Sequence, residues 1–172
     1  MKRILAVVML ALMIGACQQK EEPKSPPPQG EVGKLPADPK VLQDIVAKDP
    51  GNVRAWIDLG NIMMDSQRFG EAIEAYQKAL AIDPKNVDVR VDMGTCYRNS
   101  GKPDEALREY DKALEINPGH LMAIRNKGVV FAFDKRDNQA AVKQFEKYLQ
   151  LAPNAPDAAQ IRQQIEQLKG KP

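Results

Sequence analysis

The chain has 172 residues, with 25 Lys and Arg against 23 Asp and Glu, and this balance argues against nucleic acid, whose phosphates are bound by clustered cations. Aromatic residues make up only 5% of the chain, whereas Ala, Leu, Glu and Lys are plentiful, which is typical of a helical protein. The two cysteines, Cys17 and Cys96, are too few for a disulfide framework.

The N-terminal segment has the pattern of a bacterial lipoprotein leader. Lys2 and Arg3 precede a short apolar run, which is too short for a membrane-spanning helix of about 20 residues but suits a signal peptide. The run ends in Ile-Gly-Ala-Cys at 14–17, which resembles the lipobox of bacterial lipoproteins. That resemblance implies removal of residues 1–16 and anchoring in the lipid bilayer through an acylated Cys17. An ordinary cleaved secretory signal is the alternative.

Residues 17–39 are predicted to form a disordered tether. They contain six prolines and show no periodic apolar face, so there is no surface to bury. Gln18 follows the cysteine, whereas in enteric lipoproteins an Asp at that place keeps the protein in the inner membrane. The expected location is therefore the cell envelope, at the outer membrane and facing the periplasm. A Pro-rich ligand motif is the alternative for this segment.

The first predicted helix lies within 40–52. Val41, Leu42, Ile45 and Val46 follow helical spacing, and the pattern stops at Asp49. A single helix of this length cannot bury its own apolar face. It is therefore predicted to cover the element that follows.

A repeat of 34 residues begins after this helix. Asp-Pro-Gly-Asn at 49–52 recurs as Asp-Pro-Lys-Asn at 83–86 and as Asn-Pro-Gly-His at 117–120, and Pro153 follows 35 residues after the third proline. The residues between these turns also recur at matching offsets, which defines three units at 53–86, 87–120 and 121–155. The first unit has Trp56, Leu59, Gly60, Met63, Ala72, Tyr76 and Ala79; the second has Arg90, Met93, Gly94, Tyr97, Ala106, Tyr110 and Ala113; the third has Ile124, Lys127, Gly128, Phe131, Ala141, Phe145 and Tyr148.

This pattern is similar to the tetratricopeptide repeat (TPR) family, whose signature is W-x₂-L-G-x₂-Y followed by A-x₃-F-x₂-A and P. The departures are Arg90, Lys127 and one extra residue, which the pattern places around 134–139. The resemblance implies an all-α, right-handed superhelical solenoid of three helix pairs. In it the recurring glycines allow close helix contact, and the recurring prolines end each second helix.

A last helix is predicted at 156–170, opened by Pro156. One apolar stripe on it consists of Ala158, Ile161, Ile165 and Leu168, and its polar side carries Gln160, Arg162, Gln163, Gln164, Glu166 and Gln167. One apolar face with a polar back is typical of a terminal capping helix.

No constellation of catalytic or metal-ligating residues stands out in the sequence. Cys96 is interpreted as a buried apolar residue, His120 as a turn residue in the place of the earlier asparagines, and Trp56 as part of the repeat core, with a binding role as the alternative. The chain is therefore predicted to be no enzyme and to need no metal, cofactor or small-molecule substrate.

The functional surface implied by the TPR resemblance is the concave groove lined by the first helices. Its positions correspond to Arg54, Ile57, Asp58, Asn61, Met64 and Asp65 in unit one, Asp88, Val91, Asp92, Thr95, Arg98 and Asn99 in unit two, and Met122, Arg125, Asn126, Val129, Ala132 and Phe133 in unit three. The predicted ligand-binding residues are all of these except Arg54, Asp65, Asn99, Met122 and Ala132. Five of these positions are apolar although the core does not require it: Ile57, Met64, Val91, Val129 and Phe133. Of them, Phe133 is the strongest candidate for contact with a ligand.

The expected ligand is a protein segment with apolar anchors and Lys or Arg. Chaperone-adaptor TPRs hold a C-terminal carboxylate with a Lys/Asn/Asn/Lys/Arg set, but the matching positions here are Ile57, Asn61, Asp92, Met122 and Asn126, of which only Asn61 agrees. The predicted function is a membrane-anchored adaptor in the assembly of an envelope complex of the pilus or secretin type. The alternatives are a periplasmic factor in cytochrome c maturation and a self-associating structural lipoprotein.

Overall fold

The computed structural model describes residues 38–170, and the predicted signal peptide, Cys17 and the tether up to residue 37 lie outside this part. Within it the chain forms α1 (Pro39–Lys48), α2 (Val53–Asp65), α3 (Phe69–Ile82), α4 (Val87–Asn99), α5 (Pro103–Ile116), α6 (Leu121–Val129), α7 (Asn138–Leu151) and α8 (Ala158–Lys169). A π-helical segment, Val130–Lys135, continues α6. Helices α2 and α3, α4 and α5, and α6 and α7 are the predicted pairs, which confirms the TPR solenoid.

The recurring turn residues begin the first helix of each unit. The backbone N–H of Ala55 donates to Asn52 Oδ1 at 3.0 Å, and the same bond forms between Val89 and Asn86 at 3.1 Å. At the start of unit three His120 takes this role, since its Nδ1 accepts from the backbone N–H of Ala123 at 3.2 Å. The predicted turn role of His120 is confirmed, because each of these side chains satisfies an amide that the helix start leaves free.

Each unit is closed by contact between a glycine and an aromatic ring. A Cβ added to Gly60 would lie 2.5 Å from Tyr76, and one added to Gly94 would lie 2.6 Å from Tyr110. Gly128 meets Phe145 in the same way at 2.6 Å. These distances are far below a van der Waals contact, so only glycine allows the two helices of a pair to approach this closely.

The two outer helices cover the ends of the core as predicted. Leu42 and Val46 of α1 are buried in the first apolar cluster, and Ile161 and Ile165 of α8 are buried in the last one. Helix α8 begins at Ala158, so the prediction that Pro156 opens it is wrong by two residues. Pro156 lies instead in a turn that the N–H of Ala158 closes on the carbonyl of Ala155 at 2.9 Å, while the carboxylate of Asp157 accepts from the hydroxyl of Tyr148 at 2.6 Å.

The extra residue of unit three is accommodated in the helix and not in the predicted turn at 134–139. In unit three the N–H of Asp137 donates to the carbonyl of Phe131, six residues back, whereas the corresponding bond spans five residues in the first two units. The wider turns of the π-helical segment Val130–Lys135 take up the additional residue. Arg136, with φ of 55°, then ends the helix in the left-handed conformation.

Candidate functional site

The first helices of all three units surround one cavity in the groove. Its volume is about 340 Å³, and it is lined by Met64 of α2, by Asp88, Val91, Asp92 and Thr95 of α4, and by His120, Met122 and Asn126 at the start of α6. Six of these eight residues belong to the predicted ligand-binding set. The cavity therefore joins residues that lie up to two repeats apart in sequence.

Hydrogen bonds to the core tyrosines hold the polar floor of the groove. The hydroxyl of Tyr76 donates to Asn61 Oδ1 at 2.8 Å, and the hydroxyls of Tyr110 and Thr95 lie 3.3 Å apart. Asn126 Nδ2 donates to Thr95 Oγ1 at 3.4 Å and links α6 to α4. The same aromatic residues that close the units thus orient the polar side chains of the groove.

Two carboxylates and one histidine face the cavity. Asp88 Oδ1 lies 2.9 Å from Nε2 of His120, a contact between α4 and the N-cap of α6 that the turn interpretation of His120 did not anticipate. Burial, and after it the charge of Asp88, raises the pKa of the Asp92 carboxyl to about 6, while His120 lowers it. A carboxyl whose pKa is raised by folding binds protons more tightly in the folded state than in the unfolded state. The contribution of Asp92 to stability therefore falls as the pH rises from the pKa of the unfolded chain, 3.8, to about 6.

The arginines of the groove are engaged by neighbouring carboxylates. Arg98 Nε donates to Asp134 Oδ2 at 2.6 Å, and Arg125 Nε lies 2.9 Å from Asp157 Oδ2. Arg54 is paired in the same way with Asp58 at 2.9 Å. Arg98 and Arg125 were predicted to contact ligand, but in this structure each of them ties one unit to the next element along the solenoid.

The apolar groove residues differ in depth. Val91 is only 4% exposed and belongs to the core cluster of the second and third units, so the prediction that the core does not require it is wrong. Ile57, Met64 and Val129 are half-buried against the core. Phe133 is 61% exposed, as predicted, and Met122 is 50% exposed. Among the apolar residues at groove positions, these last two are the most available to a partner.

Three other singled-out residues have structural roles. Trp56 Nε1 donates to the carbonyl of Pro50 at 2.9 Å, and Arg90, which replaces Trp in unit two, donates to the carbonyl of Pro84 at 2.8 Å. Cys96 is fully buried, and burial raises the pKa of its thiol to about 12, so the thiol stays protonated at neutral pH. Within residues 38–170 no cluster of metal-ligating side chains was found, and no helix there has the length and hydropathy needed to span a bilayer.

Comparisons with known proteins agree with this architecture. A family model described as the cytochrome c-type biogenesis protein H TPR domain matches residues 41–159. Among solved structures, MamA superposes with a TM-score of 0.70 at 20% identity, covering 76% of this chain and 74% of that one. The first TPR of Spaghetti (RPAP3), solved with the HSP90 peptide SRMEEVD, superposes with a TM-score of 0.64 at 24% identity, covering 72% of this chain and 97% of that one. No curated protein matches the chain.

Proposed function

This chain belongs to the family of cytochrome c-type biogenesis protein H TPR domains, and from that membership we propose that it is an envelope adaptor that binds a segment of another protein in its concave groove. TPR arrays are scaffolds for protein–protein interaction. The observation that carries the proposal is the exposure of Phe133 and Met122 on α6 and its π-helical continuation. Large apolar side chains left in water on one face of a rigid scaffold are typical of an interaction surface.

Affinity capture from detergent-solubilised envelopes tests this proposal. The full chain is expected to retain a partner that binds the variant Phe133→Glu/Met122→Glu at least about tenfold more weakly, because two apolar anchors that the partner would cover are replaced by charge. The matched control is Ile116→Glu/Leu151→Glu, which changes two apolar residues with 40% and 50% exposure at the ends of second helices. Circular dichroism checks that both variants stay helical. Equal recovery by the wild type and the groove variant would contradict groove binding.

The identity of the captured partner decides the pathway. The family match favours maturation of c-type cytochromes, so we propose an apocytochrome c or another maturation protein as the partner. The pilus or secretin assembly role has no support from the comparisons, and capture of secretin or pilus subunits would be needed to restore it. Capture of further copies of this chain, with concentration-dependent light scattering, would favour the structural role.

We also propose that Cys17 carries the lipid that holds the adaptor at the membrane. The lipobox resemblance supports this, and cells fed an alkyne-labelled palmitate provide the test. The wild-type chain is expected to take up the label and to sediment with the outer membrane, whereas Cys17→Ala should lose both properties. Cys96→Ala is the control, because that thiol is buried and should not affect labelling. Labelling of Cys17→Ala at the wild-type level would rule out this anchor.

A further inference from the structure

We propose that the cavity between α2, α4 and α6 is a subsite for one cationic side chain, Lys or Arg, of the segment bound in the groove. The inference rests on the proposed function, since it names the chemistry of the partner. The two carboxylates of Asp88 and Asp92 would face the cation, and Met64 and Met122 would contact its aliphatic stem.

Charge complementarity supports this occupant. The cavity is lined by two acidic residues and by no Lys or Arg. The nearby arginines Arg54 and Arg98 are already paired with Asp58 and Asp134. Among residues 38–170, no hydrogen bond or ion pair to the carboxylate of Asp92 was found, so no protein group pairs with it directly.

His120 does not neutralise the two carboxylates when its ring is uncharged. Its Nδ1 accepts the N–H of Ala123, which places the ring proton of the neutral form on Nε2. That proton points to Asp88 at 2.9 Å and holds the carboxylate in position. The site then presents two negative charges on one turn of α4, which a single bound cation would compensate.

The charge of Asp92 is unfavourable while the cavity has no cation. Burial and the neighbouring Asp88 raise the pKa of Asp92 to about 6, so the ionised form is disfavoured by the fold itself. A bound ammonium or guanidinium group would reverse this effect and restore the carboxylate to a favourable environment. A half-buried charge that lines a cleft and has no direct partner is typical of residues that act on a ligand.

The distance between the subsite and Phe133 defines the spacing on the partner. Met122 at the cavity and Phe133 are eleven residues apart on one continuous helical element, which corresponds to about 16 Å. An extended segment would span this distance with about five residues and a helix with about eleven. The partner motif is therefore a Lys or Arg and a large apolar residue at one of these two separations.

A peptide selection tests the subsite without knowledge of the natural partner. Phage-displayed random 12-residue peptides are selected on the full chain in detergent, and one enriched peptide is synthesised with its basic residue and with norleucine in that place. Fluorescence anisotropy should show that Asp92→Asn weakens the basic peptide at least about tenfold, which corresponds to one ion pair in a partly buried site. The norleucine peptide should bind weakly to both proteins and should not distinguish them.

Controls separate the subsite from the proposed function. Asp44→Asn removes the same charge from an exposed position on α1 and should leave binding within twofold of wild type. At pH 7.5 the thermal unfolding midpoint of Asp92→Asn should be no lower than that of wild type, so lost binding would not reflect unfolding. Peptides whose binding is lost in Phe133→Glu but unchanged in Asp92→Asn would overturn the proposed subsite and would still support binding in the groove. Failure to select any peptide sensitive to Phe133→Glu would count against both.

Discussion

Replacing Gly94 with alanine is expected to lower the free energy of unfolding by about 2 kcal/mol, because the new methyl group overpacks the core. It would lie 2.6 Å from Cε1 and 2.9 Å from Cδ1 of Tyr110. That ring is only 1% exposed, and its hydroxyl is held beside Thr95, so it has no free volume to enter. The helices α4 and α5 would have to separate, which disturbs their contacts with both neighbouring units.

The matched control is the same exchange at Gly70. This glycine is the second residue of α3, has a helical backbone and has nothing within 4 Å of an added Cβ. Alanine there should stabilise the protein by up to about 1 kcal/mol, because it is the better helix former. Urea denaturation of both variants measures the difference. A neutral or stabilising effect of Gly94→Ala would show that close helix contact is not the reason for glycine at this position. If contact is the reason, adding Tyr110→Leu to Gly94→Ala should restore part of the lost stability.

The solenoid could be predicted because its contacts repeat with its sequence. Gly94 meets Tyr110 within one unit, 16 residues away, and Gly60 meets Tyr76 at the same separation. Asn86 caps α4 as Asn52 caps α2. Each such contact is local, so a pattern read along the chain already contains both partners, and a repeat at fixed spacing multiplies the signal.

Depth within the groove could not be predicted in the same way. A repeat position tells which side of a helix a residue occupies, but its burial depends on the neighbouring unit. Val91 is covered because Ala123 and Val130 of unit three pack into the same cluster. Phe133 stays exposed on the π-helical segment Val130–Lys135. The sequence pattern placed the extra residue in a turn at 134–139 and did not show that the helix continues through this region with wider turns.

The charges of the groove follow a rule that only the structure made evident. Asp88 contacts His120 and Arg98 contacts Asp134, across 32 and 36 residues. Both separations are close to one repeat, so a polar groove residue of one first helix contacts a polar side chain about one repeat further along the chain. Within residues 38–170, neither Asp65 nor Asp92 was found in such a pair. Of these two carboxylates only Asp92 lines the cavity, which makes it the candidate for ligand recognition.

Placing aspartate at both Ile161 and Ile165 is expected to detach α8 and to lower the free energy of unfolding by more than about 4 kcal/mol, since two buried aliphatic side chains become charged. These residues are 1% and 5% exposed and close the last core cluster, which includes Phe145. In a solenoid a terminal helix protects its neighbour, so unit three should loosen as well. Peptide binding should then fall, because that unit holds Phe133.

The control pair Gln163→Asp/Gln167→Asp introduces the same two charges at the same spacing on the exposed back of α8. Both double variants place two aspartates in the same helix, so they share the cost that aspartate has there. The difference between their free energies of unfolding therefore measures the loss of the apolar contact. Hydrogen exchange should show lost protection in α8, α7 and α6 for the isoleucine pair, with α2 and α3 still protected, because contacts in a repeat array run only to the next unit. Uniform loss of protection from α2 to α8 would instead mean that the array unfolds as one cooperative unit, and the capping role would extend to the whole domain.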